Sequence, residues 1–135
     1  MGPTDDAQGR GAPARLAMEV GSRERAEAFT TLDGSTIRVL LDADAGGAAN
    51  QSLAEAELPA GQTTQRHYHA RTEELYVLLE GEAEMEVEGE RARVRRGDAI
   101  LIPPGAWHQI RAGDRGVRFL CCCAPPYSDE DTFFA

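Results

Sequence analysis

The stretch GQTTQRHYHARTEELYVLLEG, running from Gly61 to Gly81, decides how this chain is read. It carries two of the protein's three histidines, His67 and His69, two residues apart. Side chains alternate between the faces of a strand, so this spacing puts both imidazoles on one side. Glu74 follows five residues after His69, across the polar loop from Ala70 to Glu73, with Glu73 beside it as the rival carboxylate. Leu75 to Leu79 is apolar throughout, as in a strand covered on both faces, and Gly81 closes it. The third histidine, His108, ends a second stretch, GDAILIPPGAWH, that starts at Gly97. A lone H-x-H pair is a weak signal. Three imidazoles and a carboxylate together form a mixed nitrogen and oxygen shell, which suits Fe, Mn, Ni, Cu or Zn better than Mg or Ca.

Outward from these stretches, the chain reads as short strands separated by turn signals. Phe29 to Leu32 and Thr36 to Leu41 flank Asp33-Gly34, a hairpin turn pair. Ser52 to Leu58 and Gln65 to His69 precede the central apolar run. Ala83, Met85 and Val87 alternate with Glu84, Glu86 and Glu88. After Gly89-Glu90, Ala92 and Val94 alternate with Arg91, Arg93 and Arg95. Acidic and basic outward faces on adjacent antiparallel strands can pair across the ladder, so this is a solvated hairpin surface. Ala99 to Ile102, Trp107 to Ile110 and, after a Gly113-Asp114 turn, Val117 to Cys123 complete nine or ten strands. No segment has a helical period. The expected fold class is all-β, a barrel or sandwich.

A chain of 135 residues suits one core, and we expect residues 1–25, rich in Gly, Pro, Ala and charge, to be a flexible arm before a single domain over 26–135. The net charge is −9, from 23 acidic and 14 basic residues, and every basic residue is arginine. Such a surface repels phosphate backbones, so no nucleic-acid partner is expected. No apolar run reaches the roughly 18 residues of a membrane span. The polar start MGPTDDAQGRGAPAR lacks a signal-peptide core, which places the expectation in the cytoplasm. Cys121, Cys122 and Cys123 are adjacent, so in a strand they point to alternate faces and cannot cluster on a metal. They read as small buried hydrophobes, with a pocket-facing thiol as the alternative.

Two spacings carry a resemblance. Gly61-(five residues)-His67-x-His69-(four)-Glu74-(six)-Gly81 resembles the first signature motif of the cupin superfamily, and Gly97-(five)-Pro103-x-Gly105-(two)-His108 is similar to the second. The resemblance implies a double-stranded β-helix, or jelly-roll, barrel in which His67, His69, Glu74 and His108 bind one divalent transition metal. The second motif usually ends in asparagine four residues after its histidine; here Ala112 stands there. The motif spacing favours Glu74 over Glu73 as the ligand.

Strand parity then points to Tyr76 beside Glu74 and Ile110 beside His108. Met85 and Phe119 serve as apolar walls and Gln65 as a polar contact of a substrate pocket. Trp107 should face away from His108. The resemblance implies action on a small organic molecule, foremost as an Fe(II) dioxygenase-type oxidoreductase. An isomerase, epimerase, cyclase or lyase, typically with Mn, Ni or Zn, is the alternative, or a non-catalytic ligand-binding cupin; Cu is a further possible metal. Small cupins commonly pair, and the apolar runs Leu75–Leu79 and Ala99–Ile102 are consistent with a homodimer.

Overall fold

The computed structural model describes residues 16–135. The first 15 residues of the expected arm lie outside the described residues. Nine strands and one 3-10 turn follow in the order β1 (Phe29–Thr30), β2 (Thr36–Leu41), β3 (Ser52–Leu58), β4 (His67–His69), β5 (Glu73–Val87), β6 (Glu90–Arg95), β7 (Ala99–Ile102), β8 (His108–Ala124), the turn Asp129–Asp131, and β9 (Thr132–Phe134). All named pairings are antiparallel and belong to a single sheet. The sheet curls so that β8 contacts β3, β4 and β5, and its concave face carries the core. The all-β expectation holds.

Two expected turns do not. Gly81 and Gly113-Asp114 read as turns, yet β5 and β8 run straight through them as strands of 15 and 17 residues. The reason is a pair of irregularities in the β5–β8 pairing. Register shifts fall between Leu78 and Glu80 and between Gly81 and Ala83. A bulge adds a residue and flips which parity faces inward. Glu74, Tyr76 and Leu78 point in before it, and Ala83 and Met85 after it. In β8 the same switch takes His108, Ile110 and Ala112 over to Val117, Phe119 and Cys123. Gly81 has φ +85° and packs against the Gly116 carbonyl so closely that a Cβ would overlap it.

The buried cluster includes Leu58, Leu78, Ile102, Ile110, Val117 and Phe119, each at most 3% exposed. On the convex side, Leu75 and Leu101 face each other across β5 and β7 and are 43% and 55% exposed. The apolar run 75–79 is therefore covered on one face only within this chain, since only its concave side has a core to pack on. The expected acidic and basic hairpin forms, with diagonal pairs Arg91–Glu84 at 3.2 Å and Arg93–Glu82 at 2.9 Å. These are exposed and contribute about 0–1 kcal/mol each. Glu86 departs from that pattern: it is buried, accepts from Arg66 Nε at 2.8 Å and Nη2 at 3.0 Å, and caps Gly89 N–H. Arg66 also lies 5.3 Å over the Trp107 ring, which packs edge-on against Tyr68, outside the barrel as expected.

The N-terminal segment is tied down before β1. Arg23 Nε donates to Glu55 Oε1 at 2.8 Å, and Arg118 Nη1 holds Glu55 Oε2 at 2.8 Å. That bracket explains why a buried glutamate on β3 is tolerated.

Candidate metal centre

His67 and His69 face inward from β4, and the register pairs His67 with His108 on β8. The three rings stand with centroids 4.3 to 5.5 Å apart. One ligand nitrogen from each lies within 4.8 Å of the others, and all three residues are at most 3% exposed. Glu74 enters from β5: its Oε1 is 3.3 Å from His69 Nε2 and 3.5 Å from His108 Nε2. Glu73, the rival, is exposed. The four residues singled out by spacing are thus brought to one place.

The opposite nitrogen of each ring explains the orientation. His67 Nδ1 donates to Gln65 O at 2.7 Å, and His108 Nδ1 to Ala106 O at 3.0 Å. His69 Nδ1 lies 3.3 Å from Asp131 O and 3.2 Å from Thr132 Oγ1. The Thr132 hydroxyl is already donating to Ser128 O, so its oxygen accepts from His69. Carbonyl oxygens only accept, so each Nδ1 carries the proton and each Nε2 presents a lone pair. The Nε2 lone pairs of His69 and His108 then face the Glu74 carboxylate in a buried site, with the His67 ring beside them. Glu74 Oε1 and His108 Nε2 are buried without a hydrogen-bond partner among the described residues. Buried acceptors without donors are costly, and a cation removes that cost. The donor set fits a divalent transition metal.

Burial works to raise the Glu74 pKa, but His108 and His69 outweigh it and hold the carboxyl at about 2. Burial opposes a charge on His69 while Glu74 more than offsets it, so the His69 pKa rises. Burial, aided by His108, lowers that of His67.

The sequence does not mark Cys123 or Asp131 as a support of the ligands, nor Asp33 as a neighbour of them. Cys123 lies opposite Glu74 in the β5–β8 register, and its thiol donates to Glu74 Oε2 at 3.3 Å, leaving Oε1 turned to the histidines. Burial pushes the Cys123 thiol well up, with the Glu74 charge adding to it, so it stays a donor rather than a thiolate ligand. Asp131 is 4% exposed and its carboxylate accepts from the backbone N–H groups of Ala70, Arg71 and Thr72 at 3.1 to 3.2 Å. It shapes the loop between His69 and Glu74, while its own carbonyl faces the His69 ring. Asp131→Ala should strand three backbone donors, cost about 3 kcal/mol of stability and weaken metal binding by roughly 10- to 100-fold. Chemical denaturation with and without metal, alongside a metal titration, checks both figures. Asp33, read as a turn residue, places its Oδ2 3.9 Å from His67 Nε2.

A cavity of about 100 Å³ opens beside the quartet, lined by His67, His69, Glu74, Tyr76, Phe119, Cys121 and Cys123, and by Asp33, Ser35 and Ile37 from the first hairpin. Of the five expected pocket residues, Tyr76 and Phe119 line it. The other three are corrected. Gln65 lies in a loop ahead of β4, where strand parity does not apply; its side chain is exposed and only its carbonyl serves, by holding His67. Met85 and Ile110 pair across β5 and β8 and are sealed in the core, outside the cavity wall. Cys121 and Cys123 both face the cavity, so the alternative reading of the cysteines describes these two. A wider groove of about 1060 Å³ lies around Gly81, Gly113 and Gly116, but its arginines and glutamates include mutually paired side chains and none of the four quartet residues.

Comparison with known proteins agrees with this geometry. An uncharacterized protein of Methanocaldococcus jannaschii, MJ1618, is 43% identical over 110 residues, covering 81% of this chain and 88% of that protein. The tetracenomycin polyketide synthase protein TcmJ of Streptomyces glaucescens is 32% identical over 57% of this chain, which spans about half (52%) of that relative's length. The structure of oxalate decarboxylase from Bacillus subtilis superposes with a TM-score of 0.77 at 20% identity, covering 90% of this chain and 33% of that one, which shows a shared jelly-roll fold. The cupin domain family model matches residues 54–123, and the chain belongs to the cupin family.

Proposed function

We propose that this protein binds one divalent transition metal through His67, His69, Glu74 and His108 and uses it to transform a small organic molecule. Iron(II) with dioxygenase-type oxidation is the leading chemistry. The observation that carries the metal reading is the convergence of three buried imidazoles, with the Nε2 atoms of His69 and His108 3.3 and 3.5 Å from the unpartnered Glu74 Oε1. Bound there, the metal supplies a Lewis acid and a template with open coordination positions. The chain's own residues do the rest. The carbonyls of Gln65, Ala106 and Asp131 fix the imidazole planes, and Cys123 fixes the carboxylate. Tyr76 and Phe119, with ring centroids 4.6 Å apart and tilted by 41°, line the cavity beside the site.

Dioxygen uptake by Fe(II)-loaded protein, measured against a panel of diketones, thiols and catechols, tests this. Uptake with one of these compounds, lost in His108→Ala, supports oxidation. No uptake with any of them removes the dioxygenase reading.

A second reading has its own support. TcmJ and CurC of Streptomyces cyaneus, the latter 29% identical over 93 residues, are named as polyketide synthase proteins. The same site could then carry a redox-neutral cyclisation, isomerisation or elimination. Turnover by the Zn(II)-loaded protein without dioxygen would select that chemistry, and binding without turnover would select a ligand-binding role.

A further inference from the structure

The first hairpin contributes a carboxylate that the metal-centre geometry does not account for. Asp33 sits in the β1–β2 turn and is fixed at three points. Its Oδ1 accepts from Ser35 N–H at 2.9 Å and from Ser35 Oγ at 2.7 Å, and Ser35 itself is 2% exposed. Its backbone carbonyl accepts from Gln65 N–H at 2.8 Å, and the Gln65 carbonyl in turn holds the His67 ring. One chain of hydrogen bonds therefore runs from the Asp33 backbone to the His67 imidazole. The remaining oxygen, Oδ2, is left 3.9 Å from His67 Nε2, with its side chain 16% exposed and lining the cavity.

A turn needs an aspartate only for local hydrogen bonds, and Oδ1 already makes these. Oδ2 points away from them into the space where a ligand must lie. The charges around that space are one-sided. Asp33, Asp42 and Glu74 line the cavity, and no arginine does, although the chain has 14. The lining also includes the apolar side chains of Ile37, Val39, Ala56 and Phe119. An anionic substrate would meet a fixed carboxylate with no cation besides the metal, in a partly dry cavity where like charges repel strongly. A hydroxyl donor would instead complete Asp33.

We infer that Asp33 is the specificity-determining residue of this cavity, selecting neutral hydroxylated molecules over dicarboxylates. It does so by accepting a hydrogen bond from the ligand's hydroxyl while the ligand's apolar body lies against Phe119 and Ile37. This rests on the metal reading above, because a neutral oxygen ligand needs the cation as its second anchor.

The test uses the full chain loaded with Zn(II), which avoids redox chemistry, and calorimetric titration with two probes, catechol and oxalate. A prior zinc titration of wild type and Asp33→Asn separates the two readings. One equivalent bound by both, with affinities within about threefold, upholds the metal site; no zinc bound by wild type overturns that reading and this one with it. Catechol should then bind wild type at least about tenfold more tightly than oxalate. Asp33→Asn should weaken catechol by roughly 10- to 100-fold, the range for a hydrogen bond to a charged acceptor, and strengthen oxalate. The asparagine retains an oxygen for Ser35, so the hairpin is kept. Ser35→Ala, which frees Asp33 to turn away, should weaken catechol in the same direction by less. Catechol affinity unchanged in Asp33→Asn, no catechol binding by wild type, or oxalate bound more tightly than catechol by wild type overturns the inference.

Discussion

Glu74→Gln should weaken metal binding by more than 100-fold while leaving the metal-free protein at least as stable as wild type. The two signs come from one geometry. Losing a group that holds a ligand in place costs roughly 10- to 100-fold in affinity, and losing a charged ligand costs more. In the metal-free state the argument reverses. Glu74 Oε1 is a buried acceptor facing acceptors, 3.3 Å from His69 Nε2 and 3.5 Å from His108 Nε2. A glutamine amide of the same shape can donate to either nitrogen and satisfies it. If Glu74 and His69 were instead a structural ion pair, breaking it would cost about 3–5 kcal/mol. Thermal unfolding distinguishes these outcomes. At free metal of 100 times Kd, wild type should gain about 2.7 kcal/mol, roughly 10 °C for a chain of this size. The variant at the same metal concentration should gain about 0.4 kcal/mol or less.

Gly81→Ala should be the most destabilising change away from the metal. At φ +85° any L side chain is strained, which costs about 1–3 kcal/mol. Here the Cβ would also overlap the Gly116 carbonyl, and separating two strands of a packed sheet adds a further 1–3 kcal/mol or so. The expected total is about 3 kcal/mol or more by urea denaturation. Gly97→Ala is the control. Its φ is +95°, but a Cβ there meets nothing within 4 Å, so only the strain is felt. Equal losses at both positions would mean that the close approach of β5 and β8 has no energetic weight. The consequence reaches the site, because the bulge at Gly81 sets the parity that turns Glu74 and Tyr76 inward.

That bulge also marks where the sequence stops being readable. The quartet was legible because two spacings resemble the cupin signature motifs, which also favour Glu74 over Glu73, and because the i, i+2 spacing of His67 and His69 puts both on one face of a strand. The alternation of β5 with β6 was legible too, since it needs only neighbours. A glycine, however, reads the same in a turn and in a bulge. What separates Gly81 from a turn is the Gly116 backbone, 35 residues away. The supports of the site have the same character. Cys123 is tied to Glu74 by the register of two distant strands, and Asp131 caps a loop some 60 residues upstream from a turn with no motif. Asp33 satisfied a complete local explanation as a hairpin residue, which concealed its second oxygen. Gln65 was misplaced for the opposite reason: parity was extended past the end of the strand that justified it.

Crystals grown with Co(II) or Fe(II) and measured at that metal's absorption edge test the central claim most directly. The account predicts one anomalous peak per chain, about 2.0–2.2 Å from the Nε2 atoms of His67, His69 and His108 and from Glu74 Oε1. A peak ligated elsewhere, or a metal-soaked crystal in which Glu74 and His69 keep their direct contact with no cation between them, would contradict it.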